Sequence, residues 1–274
     1  MQSENNIDIK KQKGAFWSKP GTGRAYHETL SSRSGILQLK NRVELSIVMK
    51  NAQGRILDAG TGTGRFAIPL AQCSPDSVVA LDYSREMLTV NRELSLGLGL
   101  NVSYVQGDVE HLPFPSGHFD TVISMSCVRH FPQYQAILAE YVRVLKSEGN
   151  LIFDMRSGDH VKTANRIWPR FGNQYSKLGF YDYEAEVPFC DLVTMLDSIG
   201  VDVVDRLSYD FFNNNSFLQI LTLHDLGYRI VNKALRITLM LWPLQRVAAW
   251  LELGILRHLP PAFTYNYIII GRKR

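Results

Sequence analysis

From residue 55 onward the hydrophobic positions come in short runs that polar turns separate. Residues 55–60 (RILDAG) form an apolar run that ends in a turn, as a buried parallel strand does. Residues 63–72 then carry a helix, 78–82 a second strand and 85–96 a second helix. Further strands are predicted at 102–105, 121–125 and 151–155, with a helix over 133–145. Residues 190–198 read as a helix, 201–209 as a sixth strand and 265–270 as a closing strand. Strands that alternate with helices predict an α/β fold with a mostly parallel, doubly wound sheet. Residues 1–13 read as a flexible polar tail and 14–50 as a helical segment. The predicted core is 51–211 together with 264–274, interrupted by two insertions at 157–187 and 212–263, the second helical.

Composition narrows the picture. The chain has 274 residues and is 45% hydrophobic, enough for a full core and against global disorder. A formal charge of +4 without a concentrated basic stripe argues against a nucleic-acid partner. Cys73, Cys127 and Cys190 are too scattered for a zinc pattern or a disulfide framework, which fits a reducing cytoplasm. No cluster of His, Asp and Glu has metal-ligand spacing, so no metal is expected. The polar start lacks the apolar core of a signal peptide, and no uncharged apolar stretch reaches the roughly 18 residues of a spanning helix.

The chemistry concentrates at 58–64, DAGTGTG, where a strand turns into a helix. Gly60, Gly62 and Gly64 let the backbone pass close to a ligand, and the helix start offers amide donors and a positive dipole end. A dinucleotide site needs the spacing GxGxxG; here the third glycine comes one residue early. Asp58 stands just before the turn, where it repels a pyrophosphate but accepts from the amino end of a methionine-like ligand. Asp82 ends the second strand and can take both hydroxyls of a ribose, or it can cap the next helix. Tyr83 follows and can pack on a purine. Asp108 ends the third strand and can accept from an adenine amine, or bond its own loop. Three acidic strand ends along one sheet edge mark a ligand site at the carboxyl ends of the strands.

These stretches, together with FDTVIS at 119–124 and VLKSEGNL at 144–151, resemble the successive motifs of class I S-adenosylmethionine-dependent methyltransferases. The likeness is nearest to the small-molecule branch that includes ubiquinone-type and sugar methyltransferases, and it covers roughly residues 50–156. It implies a seven-stranded sheet whose last strand runs antiparallel, entering beside the sixth. It implies S-adenosylmethionine as cofactor. Asp58 and the turn of Gly60, Thr61, Gly62 and Gly64 would contact the methionine portion, and Asp82 the ribose. Tyr83, Asp108 and Val109 would hold the adenine, and the backbone near Ser124 the amino group. Met87 is counted with the same set. Residues 14–50 would be the family's lid, in which Trp17, Tyr26 and Arg33 stand out; Tyr26 can close over the sulfonium.

A hydroxyl acceptor also needs a base. His130, in the loop SCVRHFP after the fourth strand, is the candidate; it can instead only shape the pocket. Arg129 can meet an acidic acceptor or sit in a surface ion pair, and Asp154 is a lesser acceptor-side candidate. The insertion 157–187 carries Trp168, Phe171, Tyr175, Phe180, Tyr181 and Tyr183 among basic residues, a lining for a sugar, a ring or an anion. In the second insertion Arg229, Asn232, Lys233 and Arg236 share one helix side, and 244–259 is mostly apolar. Peripheral membrane contact through 229–257, a cap on the site and a homodimer interface are the readings of that pattern. The expected activity is O-methylation of a small-molecule, sugar or lipid-linked acceptor, by an enzyme that is cytoplasmic or at the inner face of a membrane. Carbon or nitrogen methylation, and a non-catalytic protein that binds the cofactor for regulation, are the alternatives.

Overall fold

A computed structural model describes residues 11–31, 35–74, 77–167, 184–209 and 241–274, with 211, 230, 233–234 and 238–239. The strands are β1 (Ile56–Ala59), β2 (Val78–Asp82), β3 (Ser103–Gln106), β4 (Phe119–Ser124), β5 (Leu145–Ser157), β6 (Glu186–Val187), β7 (Val201–Tyr209) and β8 (Asn266–Lys273). They form one sheet in the order β3-β2-β1-β4-β5-β8-β7, with the two-residue β6 paired to β5. Strands β1 to β5 pair in parallel, while β8 runs antiparallel to both β5 and β7. This is the expected Rossmann-like sheet of seven strands with an antiparallel last strand, extended by β6. The strand order reverses between β1 and β4, and such switch points open a crevice at the carboxyl ends of the strands.

Alternation along each strand divides the core into two layers. Leu57, Val79, Val122, Phe153 and Ile269 pack on one face, under α5 (Tyr134–Val144) and α7 (Phe189–Ser198). Ile56, Val78, Ile123, Ile152 and Ile268 pack on the other. There they meet α2 (Gly35–Asn51), α3 (Ala67–Cys73) and α8 (Trp242–Gly254). Three further helices are α1 (Thr22–Leu30), α4 (Arg85–Gly97) and α6 (Gly158–Ile167), and a 3₁₀ turn at Val128–His130 follows β4. No helix among the described residues is long and apolar enough to cross a membrane.

Differences from the sequence pattern have local causes. Helix α3 begins at Ala67 rather than 63, because Gly60, Gly62 and Gly64 all take positive φ, which a right-handed helix excludes. Strand β5 starts at Leu145, six residues before its apolar run, with Glu148 at φ 61 and a register shift against β4. Residues 11–13 of the expected tail belong to a helix over 11–17, and 1–10 lie outside the described residues. The six aromatic residues at 168–183, Arg33, and Arg229, Asn232 and Arg236 lie outside the described residues.

Candidate active site

The loop after β1 is shaped by what lies beneath it. A Cβ on Gly60 would run into the Cys127 sulfur, and one on Gly64 into the Asn91 amide. Only glycine lets this backbone settle so deeply at positive φ. Asp58, buried at the end of β1, accepts from Thr61 Oγ1 at 2.7 Å. Burial pushes its carboxyl up to about 6, because the charged form is poorly solvated there. Asp82, at the end of β2, braces the loop: one oxygen accepts from Gly62 N at 2.8 Å, the other from Ser84 N at 2.8 Å. Its carboxyl is also raised by burial. Ser84 caps α4 by accepting from Met87 N, and its hydroxyl donates to Trp17 O at 2.7 Å. That bond fastens the N-terminal segment over the loop. Trp17 meets Tyr26 edge-on with ring centres 5.2 Å apart, and Tyr26 stands over Gly62.

A cavity of about 320 Å³ gathers these groups. Gly60, Thr61, Gly62, Asp82, Tyr83, Met87, Asp108, Val109, Tyr26 and His130 all line it. Asp58 and Gly64 stand one layer behind, under the turn. Asp108 does take its local role, since Oδ1 accepts from Glu110 N at 3.0 Å; it reaches the cavity as well. Ser124 itself does not line the cavity. Its side chain is buried against Tyr141 OH at 3.0 Å, and Met125, Ser126 and Cys127 line the cavity in its place. A strand's pleat sends successive side chains to opposite faces, so the residues just past the strand end face the ligand. Burial pushes the Cys127 thiol up to about 12, which disfavours its thiolate form.

Besides those residues, the same cavity is lined by Leu30, Leu37, Phe66 and Met125, with Lys40, Arg65 and Arg129 among them. Arg129 is not in a surface pair. Its Nη1 donates to the fully buried Asp154 at 2.6 Å. Burial opposes the guanidinium charge, but Asp154 and Glu184 outweigh it and keep the group protonated. Asp154 also takes Ser126 N, which holds Ser126 at φ 57, and Tyr209 OH at 3.1 Å. Tyr209 OH lies 2.9 Å from Glu44 on α2, and Glu44 pairs with Arg65. One buried polar chain thus ties the helical segment to the glycine loop and to the loop after β4. His130 sits in that last loop, with Nδ1 3.7 Å from Glu184 and its carbonyl accepting from Lys13 Nζ at 2.6 Å.

Sequence reasoning missed Glu44, Arg65, Glu184 and Tyr209. Glu44 had a signal, an acid set among Leu39, Val43, Ile47 and Val48 on the apolar stripe of α2. Arg65 directly follows the glycine motif. Glu184 had none, since only pairing of β6 with β5 brings it to Arg156 and Arg129. Among the described residues no group of three or more His, Cys, Asp or Glu side chains is placed to hold a metal ion.

Residues 56–149 match the family model of the methyltransferase domain. A demethylmenaquinone methyltransferase of Thermus thermophilus is 37% identical over 112 residues, which are 40% of this chain and 51% of that protein. The ubiquinone/menaquinone biosynthesis C-methyltransferase UbiE of Erwinia tasmaniensis is 33% identical over 145 residues, 48% of this chain and 58% of that protein. The chain thus spans about half the length of the curated relatives it matches. Among solved structures, magnesium protoporphyrin IX methyltransferase from Synechocystis with bound S-adenosylhomocysteine aligns with a TM-score of 0.57 at 14% identity. That alignment covers 97% of this chain and 100% of that one, a likeness of fold.

Proposed function

This chain carries a class I S-adenosylmethionine-dependent methyltransferase domain at residues 56–149, and from that premise we propose that it methylates a ring carbon of a small, quinol-like acceptor. The donor supplies an electrophilic methyl group on a sulfonium. The residues present fit it. Buried Asp58 and half-buried Asp82 have charged forms that loss of water disfavours, which suits a ligand bringing positive charge and hydroxyl donors. The collapsed glycine turn leaves room for its methionine end. Asp82 would hold the ribose, Tyr83, Asp108 and Val109 the adenine, and the backbone of Met125–Cys127, next to Ser124, the amino group.

The single observation behind the acceptor reading is the continuation of the cavity past these residues. Its apolar lining suits a ring, and Lys40, Arg65 and Arg129 bring positive charge that favours an oxyanion on that ring. A ring hydroxyl must lose its proton before the adjacent carbon becomes a good nucleophile. His130 would take that proton, and Glu184 stands beside it. The same base would serve transfer to oxygen, the activity expected from sequence; the names of the two relatives, one a C-methyltransferase, favour carbon. A sugar or a lipid-linked compound, also expected from sequence, would have to enter the same cavity.

The test supplies S-adenosylmethionine carrying a labelled methyl group and a reduced, side-chain-shortened demethylmenaquinol. The expected product gains one methylene in mass, and its labelled carbon resonates as a ring methyl. A methoxy resonance would assign oxygen, and no product despite tight donor binding would overturn the acceptor. His130→Ala is expected to lower turnover roughly 100-fold or more with donor affinity unchanged. A loss of only a few-fold would leave His130 a wall of the pocket.

A further inference from the structure

Helix α8 carries its larger apolar side chains outward, with two alanines and two polar groups inward. Its buried side is made of Gln245, Ala248, Ala249 and Glu252, while Leu244, Val247 and Trp250 are 41%, 54% and 64% exposed. Steps of three residues keep those three on one slowly turning stripe of the helix, opposite the buried side. An ordinary surface helix points its apolar stripe inward. Here the inward side is fixed by polar bonds: Gln245 Nε2 donates to Gly35 O at 3.2 Å and to Gln38 Oε1 at 3.1 Å, and Arg42 donates to Gln245 Oε1 at 3.1 Å. The helix is therefore held in this orientation by α2, and its apolar side is left outward.

We propose that this outward face of α8 docks on the surface of an anionic lipid bilayer. The charge around it is complementary to such a surface. Arg246 on the same helix is exposed. The one acid of α8, Glu252, is buried, so the helix turns no carboxylate toward the headgroups. Trp250 is the kind of side chain that settles at headgroup depth, with an apolar body and one polar edge. Leucine and valine beside it enter the acyl boundary, and arginine stays among the phosphates. Docking here sets α2 between the bilayer and the cavity, and α2 supplies Leu37 and Lys40 to the cavity lining. The assignment agrees with a lipid-borne ring acceptor, and it stands on the geometry of α8 without needing that acceptor.

The test is co-sedimentation of the full chain with vesicles of phosphatidylcholine containing about 30% phosphatidylglycerol, beside pure phosphatidylcholine vesicles. Donor titration on the same samples separates docking from the active site. The wild type is expected to pellet with the anionic vesicles, and salt raised from about 0.1 to about 0.5 M should release part of it. Leu244→Ser with Val247→Ser and Trp250→Ser should weaken partition at least roughly tenfold, and Arg246→Glu should weaken it too. All variants should bind S-adenosylhomocysteine as the wild type does, since these side chains are outside the cavity. A wild type that stays in the supernatant overturns the proposal, and so does a triple variant that pellets undiminished. A dimer seen by light scattering that the triple variant splits, without vesicle binding by the wild type, also overturns it and assigns the face to a second copy of the chain.

Discussion

At the scale of the residue, the proposed donor site holds acids whose charged forms the fold disfavours. Asp58 sits raised to about 6 from its ordinary 3.8 because burial penalises its charge. The sign of the consequence is fixed. The folded state holds its proton more tightly than the unfolded chain, so stability falls as pH rises from about 4 to about 6, and the full penalty applies above that. Asp58→Asn is therefore expected to stabilise the empty protein by about 1–3 kcal/mol near pH 7.5 and to do little near pH 4. Urea denaturation at the two pH values checks this, and an equal effect at both would contradict it. The same variant should lose donor affinity, because function needs the charge that folding disfavours. Asp82→Ala removes the group offered to the ribose and also the brace on Gly62 N. Calorimetry with S-adenosylhomocysteine should show a loss of roughly tenfold or more, since a charge-assisted bond contributes about 1.5–3 kcal/mol. Unchanged affinity would remove Asp82 from the site.

At the scale of the element, the loop after β4 depends on a pair that no local pattern encodes. Arg129 leaves its 3₁₀ turn to meet Asp154 in the middle of β5, and Asp154 in turn holds Ser126 in its left-handed conformation. Removing one partner of a buried pair strands the other. Arg129→Met should destabilise the fold by about 3–5 kcal/mol, whereas Arg129→Met with Asp154→Leu should cost less than the two single losses together, the remainder being the bonds Asp154 makes to Ser126 N and Tyr209 OH. A double-mutant cycle in urea reads the difference. Additive losses would show that the two side chains act separately. The elements themselves were legible where their periodicity was strong. The span 201–209 of β7 is the predicted one, and α5 and α7 differ from prediction by a residue at one or both ends. Helix α3 was mispositioned because a hydrophobic run does not show where positive φ ends.

At the scale of the whole molecule, the C-terminal strand β8 enters the sheet between β5 and β7, so the last segment of the chain completes the core begun at residue 56. That closure gathers the site, bringing Tyr209 of β7 beside Asp154 of β5 and Glu44 of α2. By itself the sequence determined the alternation of strands and helices, the glycine turn and the acids at the ends of β1 and β2 and just past β3. Those features are local: a period of two or of 3.6, a φ only glycine tolerates, an acid at a strand end. The tertiary structure alone decided which charged groups share a buried chain, that Arg129 faces Asp154 rather than solvent, and that Glu184 stands beside His130. It also decided which side of α8 faces out. Helical periodicity gives a helix two sides but does not say which one the core takes, and for α8 the bonds from Gln245 to α2 settled it.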